Sequence, residues 1–155
     1  MRIFLGGSGR CGTSVLGMVF QYHPAILHYQ ETQFLSAKGG VTDYLDGKVR
    51  LDAFRGKMLQ VFRQYILESV REYGYDDGKA FFTTQRLTRL LAGCFSDEDP
   101  VGESRRFLDE FFSSYMKHRK KAFWSEMTPM TVEVADVLQR IYPEMFYIHI
   151  FRNPK

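Results

Sequence analysis

The hydrophobic residues of this chain fall into short continuous runs and longer runs with a helical period. The short runs predict buried β-strands, and the longer runs, apolar at every third or fourth position, predict amphipathic helices. The predicted strands are residues 2–5, 25–29, 122–125 and 146–151, the predicted helices are residues 14–22, 51–73, 84–95, 104–121 and 129–142, and a polar turn is predicted at residues 73–78. Because strands and helices alternate at both ends of the chain, we predict an α/β fold in which a parallel sheet is covered on both faces and carries a helical insertion.

A glycine-rich turn joins the first predicted strand to the first predicted helix. Residues 6–14 read Gly-Gly-Ser-Gly-Arg-Cys-Gly-Thr-Ser. Glycines let the backbone turn its N–H groups inward, and a helix that begins there adds the positive end of its dipole, so this pattern is typical of a phosphate-binding loop. The hydroxyls of Thr13 and Ser14 add hydrogen-bond donors at the start of the helix. The alternative is a strand–helix corner that binds no ligand.

The spacing of this loop nearly matches the nucleoside triphosphate loop, with one chemical difference. From Gly7 to Ser14 it follows Gly-x4-Gly-Lys-Ser/Thr, but Thr13 stands at the lysine position. The only cation of the loop is Arg10, which can donate two hydrogen bonds to one phosphate or sulfate group. The last predicted strand ends at Arg152, where an aspartate that helps to bind magnesium would favour a kinase.

Composition narrows the class of protein. The 155 residues are 45% hydrophobic and 15% aromatic, which is enough for one domain with a buried core. The formal net charge of +3 suits an anionic ligand but is too small for a nucleic-acid-binding surface. Cys11 and Cys94 are far apart and have no partners at metal-ligand spacing, which argues against a disulfide framework and a zinc site. The sequence shows neither a signal peptide nor a membrane-spanning run, so we expect a cytoplasmic protein without nucleic-acid or membrane partners.

Four segments, in this order, resemble the PAPS-dependent sulfotransferases, in particular the bacterial and tyrosylprotein-type enzymes. The first is the glycine-rich loop, with its order basic-x-Gly-Thr-Ser/Thr. The second contains Glu31, which follows a His-Pro pair as the glutamate base of that family does. The third, residues 122–129, is similar to the family segment Trp-x-x-Lys-Thr-Pro, with Met127 at the lysine position unless the alignment is shifted by one residue. The last, residues 146–155, resembles the start of the 3′-phosphate motif, with Arg152 in the place of its arginine.

This resemblance implies a P-loop-like three-layer sandwich that transfers a sulfuryl group from PAPS to a hydroxyl or, less often, an amine, without a metal ion. It also implies that the loop holds the 5′-phosphosulfate and that Arg10 stabilises the charge that builds on the bridging oxygen. Glu31 would be the general base that takes the acceptor proton. The residues implied to bind PAPS are Gly9, Arg10, Cys11, Gly12, Thr13, Ser14 and Arg152.

Several alternatives stay open at this point. His23 and His28 are rival bases, and Glu31 is alternatively a solvated loop residue. A P-loop-type small-molecule or nucleotide kinase and a non-catalytic binding or assembly module are the rival functions. The acceptor is expected to carry its hydroxyl on a small molecule, a carbohydrate or a peptide, and no segment of the chain specifies which.

The carboxyl-terminal end of the chain is the main departure from the family pattern. The family continues beyond the position of Lys155 with the rest of its 3′-phosphate motif, so we expect residues 1–155 to form a single sulfotransferase-like domain that is incomplete at its C-terminal end. One side of the sheet would then be uncovered. Self-association of the chain into a homo-oligomer through that side is a further expectation.

Overall fold

A four-stranded parallel β-sheet forms the framework of the computed structural model, which describes residues 1–8, 10–67 and 81–153. The strand order is β2-β3-β1-β4. The bounds of the strands are β1 Arg2–Gly7, β2 Ile26–Gln30, β3 Phe123–Met127 and β4 Phe146–Ile150. All four predicted strands are confirmed, and their ends differ from the predicted ones by no more than two residues.

The helices follow the predicted order with differences at their ends. Their bounds are α1 Thr13–Tyr22, α2 Val41–Leu45, α3 Leu51–Val61, α4 Thr84–Cys94, α5 Pro100–His118 and α6 Ala135–Ile141. The helix predicted at residues 51–73 changes to a π-helical turn at Phe62–Ile66, and its last residues and the predicted turn at 73–78 lie outside the described residues. A 3₁₀ turn, Pro129–Val134, precedes α6. Helix α5 begins earlier than predicted because its first residue, Pro100, needs no acceptor for an N–H group.

The chain divides into two compact units. The first comprises Met1–Glu31 and Phe112–Lys155 and contains the whole sheet, α1 and α6. The second, Thr32–Phe111, contains α2, α3, α4 and most of α5, and it is the predicted helical insertion between β2 and β3. The single-domain organisation expected from the sequence stays a prediction.

Helix α1 covers one face of the sheet in the first unit. The residues buried between them are Ile3, Leu5, Ile26 and Met127, packed against Leu16 and Phe20 of α1. The helix comes close to the sheet at Gly17, where a Cβ atom would lie 2.6 Å from His28 Nε2. His28 Nδ1 lies 2.8 Å from Ser125 Oγ, and burial lowers the pKa of this imidazole from 6.5 to about 4. His28 is therefore a neutral core residue at physiological pH.

The opposite face of the sheet is covered by aromatic side chains of α5 and by Tyr142, the residue that follows α6. Phe4 packs edge-on against Trp124, with 5.5 Å between the ring centroids, and lies 5.7 Å from the ring of Tyr142 next to the end of α6. Trp124 lies 4.5 Å from the ring of Phe112 on α5, and the Tyr29 hydroxyl donates to the Phe112 carbonyl at 2.7 Å. Helices therefore cover both faces, which confirms the α/β, P-loop-like three-layer sandwich expected from the resemblance.

Apolar side chains are exposed on α1 and on β4. Among the described strands β4 pairs only with β1, so it is an edge strand of the sheet. The exposed large apolar side chains of these two elements are Val15, Met18, Val19, Tyr22, Phe146 and Ile148. A surface of this kind favours contact with another apolar surface. Self-association of the chain stays a prediction.

Stacked aromatic rings form the core of the second unit. The ring of Tyr44 stacks on Phe54 with 4.6 Å between the centroids, and Phe95 packs edge-on against Phe54 at 4.8 Å. Phe107 of α5 lies 5.6 Å from Phe95. These contacts join α2, α3 and α5 to the residue that follows α4.

A buried carboxylate connects the start of α5 to the loop before it. Glu103 accepts hydrogen bonds from the backbone N–H and the hydroxyl of Ser96, at 2.8 and 2.6 Å, and from the Tyr44 hydroxyl at 3.1 Å. Burial alone would raise the pKa of the Glu103 carboxyl, but these bonds and the one from the N–H of Glu98 outweigh that effect and lower the pKa to about 2. Glu103 is therefore ionised whenever this unit is folded near neutral pH.

Replacing Glu103 by glutamine is expected to lower the free energy of unfolding by about 1–3 kcal/mol at pH 7, because the donors around this buried side chain lose their charged acceptor. Since the pKa is depressed on folding, this contribution is complete above pH 4.5 and is lost as the pH falls through about 2. Urea unfolding of both proteins between pH 7 and pH 3 would show the difference narrowing in acid. Glu98→Gln, at an exposed side chain of the same loop, is the control. An equal loss of stability in that control would contradict the expectation.

Candidate active site

The carboxyl ends of the four parallel strands meet at one edge of the sheet. Gln30 pairs with Met127, Met127 pairs with Leu5, and Gly7 pairs with Ile150, so the residues that follow each strand emerge at this edge. The connection through α1 leads from β1 to β2 on one side of it, and the connection through α6 leads to β4 on the other side. Ligands of open α/β sheets bind where the connections diverge in this way.

The loop after β1 leads into the open amino-terminal end of α1. Gly12 has a left-handed backbone with φ 108°, and its carbonyl accepts hydrogen bonds from the N–H groups of Val15 and Leu16 at 3.1 and 3.2 Å. The N–H groups of Thr13 and Ser14 precede these bonds and have no acceptor within the helix. Among the described residues, a Cβ atom at Gly12 would meet no atom within 4 Å apart from its neighbours in the chain, so these residues leave space beside the start of the helix. An anion placed there is stabilised by these amides and by the helix dipole.

The base of the loop is packed too tightly for a side chain. A Cβ atom at Gly7 would lie 2.6 Å from Cys11 Sγ and closer still to the Ile150 carbonyl oxygen, so only glycine fits this position. The Cys11 N–H group donates to the Ser8 carbonyl at 3.2 Å. The Cys11 amide is thus engaged within the loop, and its predicted role in binding a ligand stays a prediction.

The charged and hydroxyl side chains of the loop differ in exposure. Arg10 has a left-handed backbone with φ 61°, and its side chain is exposed. Ser14 is exposed, whereas Thr13 is only 5% exposed and is part of the interior. Gly9 lies outside the described residues. Arg10, Ser8 and Ser14 are therefore exposed side chains of the loop that an anion in solution can reach directly.

Glu31 follows β2 immediately, at the same edge of the sheet as the loop. Its backbone is left-handed with φ 50°, and its N–H group donates to the Met127 carbonyl at 2.6 Å, which ties it to the end of β3. The side chain is half-buried. Because β3 lies between β2 and β1, the strands that precede Glu31 and the loop are two strand spacings apart, roughly 10 Å. Glu31 and the loop therefore lie at the same edge of the sheet, with the end of β3 between them.

Met127 has the environment of a core residue. It is 0% exposed and belongs to the apolar cluster beneath α1. The neighbouring positions, which a shift of the alignment by one residue would select, are Glu126 and Thr128, and both are buried. This segment therefore supplies no lysine to the edge of the sheet, whichever alignment is used.

The remaining candidates lie in three different surroundings. Arg152 is exposed and lies two residues beyond the end of β4, the strand that pairs with β1. His23 caps the far end of α1, where its Nδ1 accepts from the Ala25 N–H group at 3.2 Å. His28 is enclosed between α1 and the sheet, where Gly17 approaches its ring. Of the three proposed bases, Glu31 is the one at the edge that carries the loop.

A buried polar cluster beneath the loop was not predicted from the sequence. Glu126 Oε1 accepts a hydrogen bond from the Thr128 hydroxyl at 2.5 Å, and the Thr131 hydroxyl donates to the Thr128 carbonyl at 2.7 Å. The Tyr147 hydroxyl lies against Gly6, the residue before the end of β1. Glu126 could have indicated this cluster from the sequence, because it is an ionisable residue directly after a predicted apolar strand and such residues are seldom fully buried without polar partners. No sequence signal marked Tyr147.

The described residues form neither a cluster of metal ligands nor a helix suited to a membrane. Within residues 1–8, 10–67 and 81–153, no group of three or more His, Cys, Asp or Glu side chains is arranged to hold a metal ion. In the same part of the chain, no helix combines the length and the apolar character that crossing a membrane requires. Cys11 and Cys94 are both free thiols.

Comparisons with known proteins bear on the family of this chain. The curated proteins include no match to it. A model of the sulfotransferase family matches residues 2–155, a range that includes the loop, Glu31 and all four strands of the sheet. The match agrees with the resemblance seen in the sequence and with the order of its four segments. This chain is a member of the sulfotransferase family.

Proposed function

We propose that this chain transfers a sulfuryl group from PAPS to a hydroxyl group, or less often an amine, of an acceptor. Membership of the sulfotransferase family supports sulfotransfer as the class of reaction. The donor and the roles of individual residues are part of the proposal. The observation that supports it best is the space that the described residues leave beside the start of α1, at Gly12, with the exposed Arg10 in the same loop.

The residues of the loop fit the phosphosulfate group of PAPS. The amides of Thr13 and Ser14 and the positive end of α1 offer hydrogen bonds and a favourable field to the 5′-phosphate. The Ser14 hydroxyl adds an exposed donor. Arg152, two residues beyond the strand beside β1, would bind the 3′-phosphate. Fixed backbone amides are well suited to this task because they need no rearrangement when the anion arrives.

Glu31 and Arg10 would carry out the chemical step from opposite ends of the substrate. A bond forms between the acceptor oxygen and sulfur while the bond from sulfur to the bridging oxygen breaks, and 3′,5′-adenosine bisphosphate leaves. The Glu31 carboxylate takes the proton of the acceptor hydroxyl, and the Arg10 guanidinium donates to the bridging oxygen as negative charge develops there. Glu31 and the loop follow β2 and β1, whose axes are two strand spacings apart, so the acceptor and the donor would approach from different positions along the same edge of the sheet.

The partners of the reaction are part of the same proposal. The acceptor hydroxyl is carried by a small molecule, a carbohydrate or a peptide. The cytoplasmic location and the absence of nucleic-acid and membrane partners stay predictions of the sequence.

Thermal unfolding with 3′,5′-adenosine bisphosphate tests the proposed donor. At a ligand concentration of about 100 times its Kd the free energy of unfolding should rise by roughly 2.7 kcal/mol, which raises the Tm by several degrees. A parallel series with ATP and magnesium is the matched comparison. If the Tm rises with ATP and magnesium but not with the bisphosphate, the result would favour the rival function, a kinase. If the Tm rises with neither ligand, the result would contradict PAPS as the donor.

A further inference from the structure

The hydroxyl groups of Tyr147 and Thr131 pack against Gly6, near the end of β1. On the face of the sheet opposite α1, a Cβ atom at Gly6 would overlap the Tyr147 hydroxyl and would lie 2.9 Å from Thr131 Oγ1. The Tyr147 Cζ atom would lie 3.0 Å away. The hydroxyl thus occupies the place where any other residue at position 6 would carry its first side-chain atom.

Tyr147 reaches this place from the neighbouring strand. It pairs with Phe4, two residues before Gly6, so its ring extends along the sheet towards the loop. Its hydroxyl oxygen is buried, and desolvation raises its pKa. The hydroxyl therefore stays protonated and uncharged in the pH range in which enzymes of this kind act.

Thr131 reaches Gly6 from the 3₁₀ turn after β3. It is fully buried, and its hydroxyl donates to the Thr128 carbonyl at 2.7 Å and, more weakly, to the Leu5 carbonyl at 3.3 Å. Thr128 is itself attached to β3 by its hydrogen bond to Glu126. The 3₁₀ turn is therefore hydrogen-bonded to both β1 and β3, and these bonds fix the position of Thr131 next to the end of β1.

The other face of the same strand end is equally restricted. At Gly7 the Cys11 sulfur and the Ile150 carbonyl fill the position of a Cβ atom. Consecutive residues of a strand face opposite sides of the sheet, so Gly6 is held from one side and Gly7 from the other. The direction in which the loop leaves the sheet is set by these contacts.

We propose that Tyr147 and Thr131 are positioning residues for the loop. They would hold the end of β1 so that Arg10, Gly12 and the first amides of α1 face the donor substrate. The effect on donor binding and catalysis rests on the proposed sulfotransferase function. The effect of Tyr147 and Thr131 on the position of the loop does not depend on that function. Displacement of a bound group by about 1 Å can cost a factor of roughly 100 in rate, so a small change at the base of the loop has a measurable effect.

Tyr147→Phe tests the inference because it removes only the hydroxyl. We expect amide hydrogen exchange at residues 8–12 to become about tenfold faster and the Kd of 3′,5′-adenosine bisphosphate to rise about tenfold, with little change in Tm. Tyr115→Phe is the matched control, since the Tyr115 hydroxyl is also buried in the first unit but accepts its hydrogen bond from Arg119 at 3.1 Å. It should change neither the exchange nor the Kd.

Gly6→Ala gives a second, reciprocal test. Alone, the added methyl group collides with the Tyr147 hydroxyl and should displace the loop and weaken bisphosphate binding. In the double variant Gly6→Ala/Tyr147→Phe the overlap with the hydroxyl is removed, whereas the close approaches to Thr131 Oγ1 and to the Cζ atom of residue 147 remain, so exchange and affinity should recover in part towards the unchanged protein. A purely structural role for Tyr147 predicts no such recovery of ligand affinity.

The outcomes separate this inference from the function on which it rests. Unchanged exchange and unchanged bisphosphate affinity in Tyr147→Phe, with a wild-type protein that binds the bisphosphate, would overturn the positioning role. A wild-type protein that fails to bind the bisphosphate, while exchange in the loop still accelerates in Tyr147→Phe, would overturn the proposed donor and leave the positioning role supported.

Discussion

Replacing Glu31 by glutamine is expected to reduce kcat for sulfuryl transfer by a factor of about 10²–10⁴, the usual contribution of a general base. Glutamine has nearly the same shape as glutamate but cannot take a proton from the acceptor hydroxyl. The Kd of 3′,5′-adenosine bisphosphate should stay unchanged because Glu31 follows β2, which β3 separates from β1 and its loop. The measurement is release of the bisphosphate from PAPS with a panel of phenol, alcohol and amine acceptors.

Glu133→Gln is the control for this substitution. Glu133 is an exposed carboxylate in the 3₁₀ turn of the same unit, so its replacement removes the same charge away from β2. It should leave kcat within a factor of two or so of the unchanged protein, as is usual for a surface site. Similar activity in Glu31→Gln and Glu133→Gln would show that Glu31 is not the base.

Replacing Arg10 by alanine is expected to lower kcat by about 10²–10³, the effect of losing one preorganised donor at a developing negative charge. Bisphosphate affinity should fall less, because the loop amides and α1 remain. Arg10→Lys keeps the charge but loses the two-pronged hydrogen bonding of the guanidinium, so it should recover only part of the rate. Steady-state kinetics with PAPS as the varied substrate measure both effects.

The matched control is Arg140→Ala, at an exposed arginine of α6. It should change neither the rate nor the affinity. A kcat for Arg10→Ala equal to that of the control would exclude a role for Arg10 in the transition state. A loss of affinity without a loss of kcat would make Arg10 a binding residue only.

The sheet and the sandwich were predictable because they depend on local patterns. Each strand is a short apolar run, and the helix after β1 has its glycine-rich start and its His23-Pro24 end within the sequence itself. The ends of helices in the insertion were less predictable. The π-helical turn at Phe62–Ile66 keeps the apolar period of the helix before it, so composition alone does not reveal it.

The candidate site also has a part that was predictable from local sequence and a part that was not. The loop and its position at the start of α1 follow from glycine spacing, which acts over a few residues. The contact between Tyr147 and Gly6 joins residues on different strands, and only the register of β1 and β4 brings them together. The bond from Glu31 to the Met127 carbonyl has the same origin, because it depends on β3 lying beside β2.

Arg10 and Glu31 share a backbone conformation that most residues avoid. Both are left-handed, at φ 61° and φ 50°, in a region that glycine and asparagine occupy more readily. Strain of this kind costs on the order of 1–3 kcal/mol per residue. Thermostability engineering that matches residue type to backbone would therefore select these two positions for replacement, together with Gln33, Asp97 and Lys120, which share the conformation. Stabilised variants chosen without an activity screen would tend to lose the two side chains on which the proposed chemistry depends.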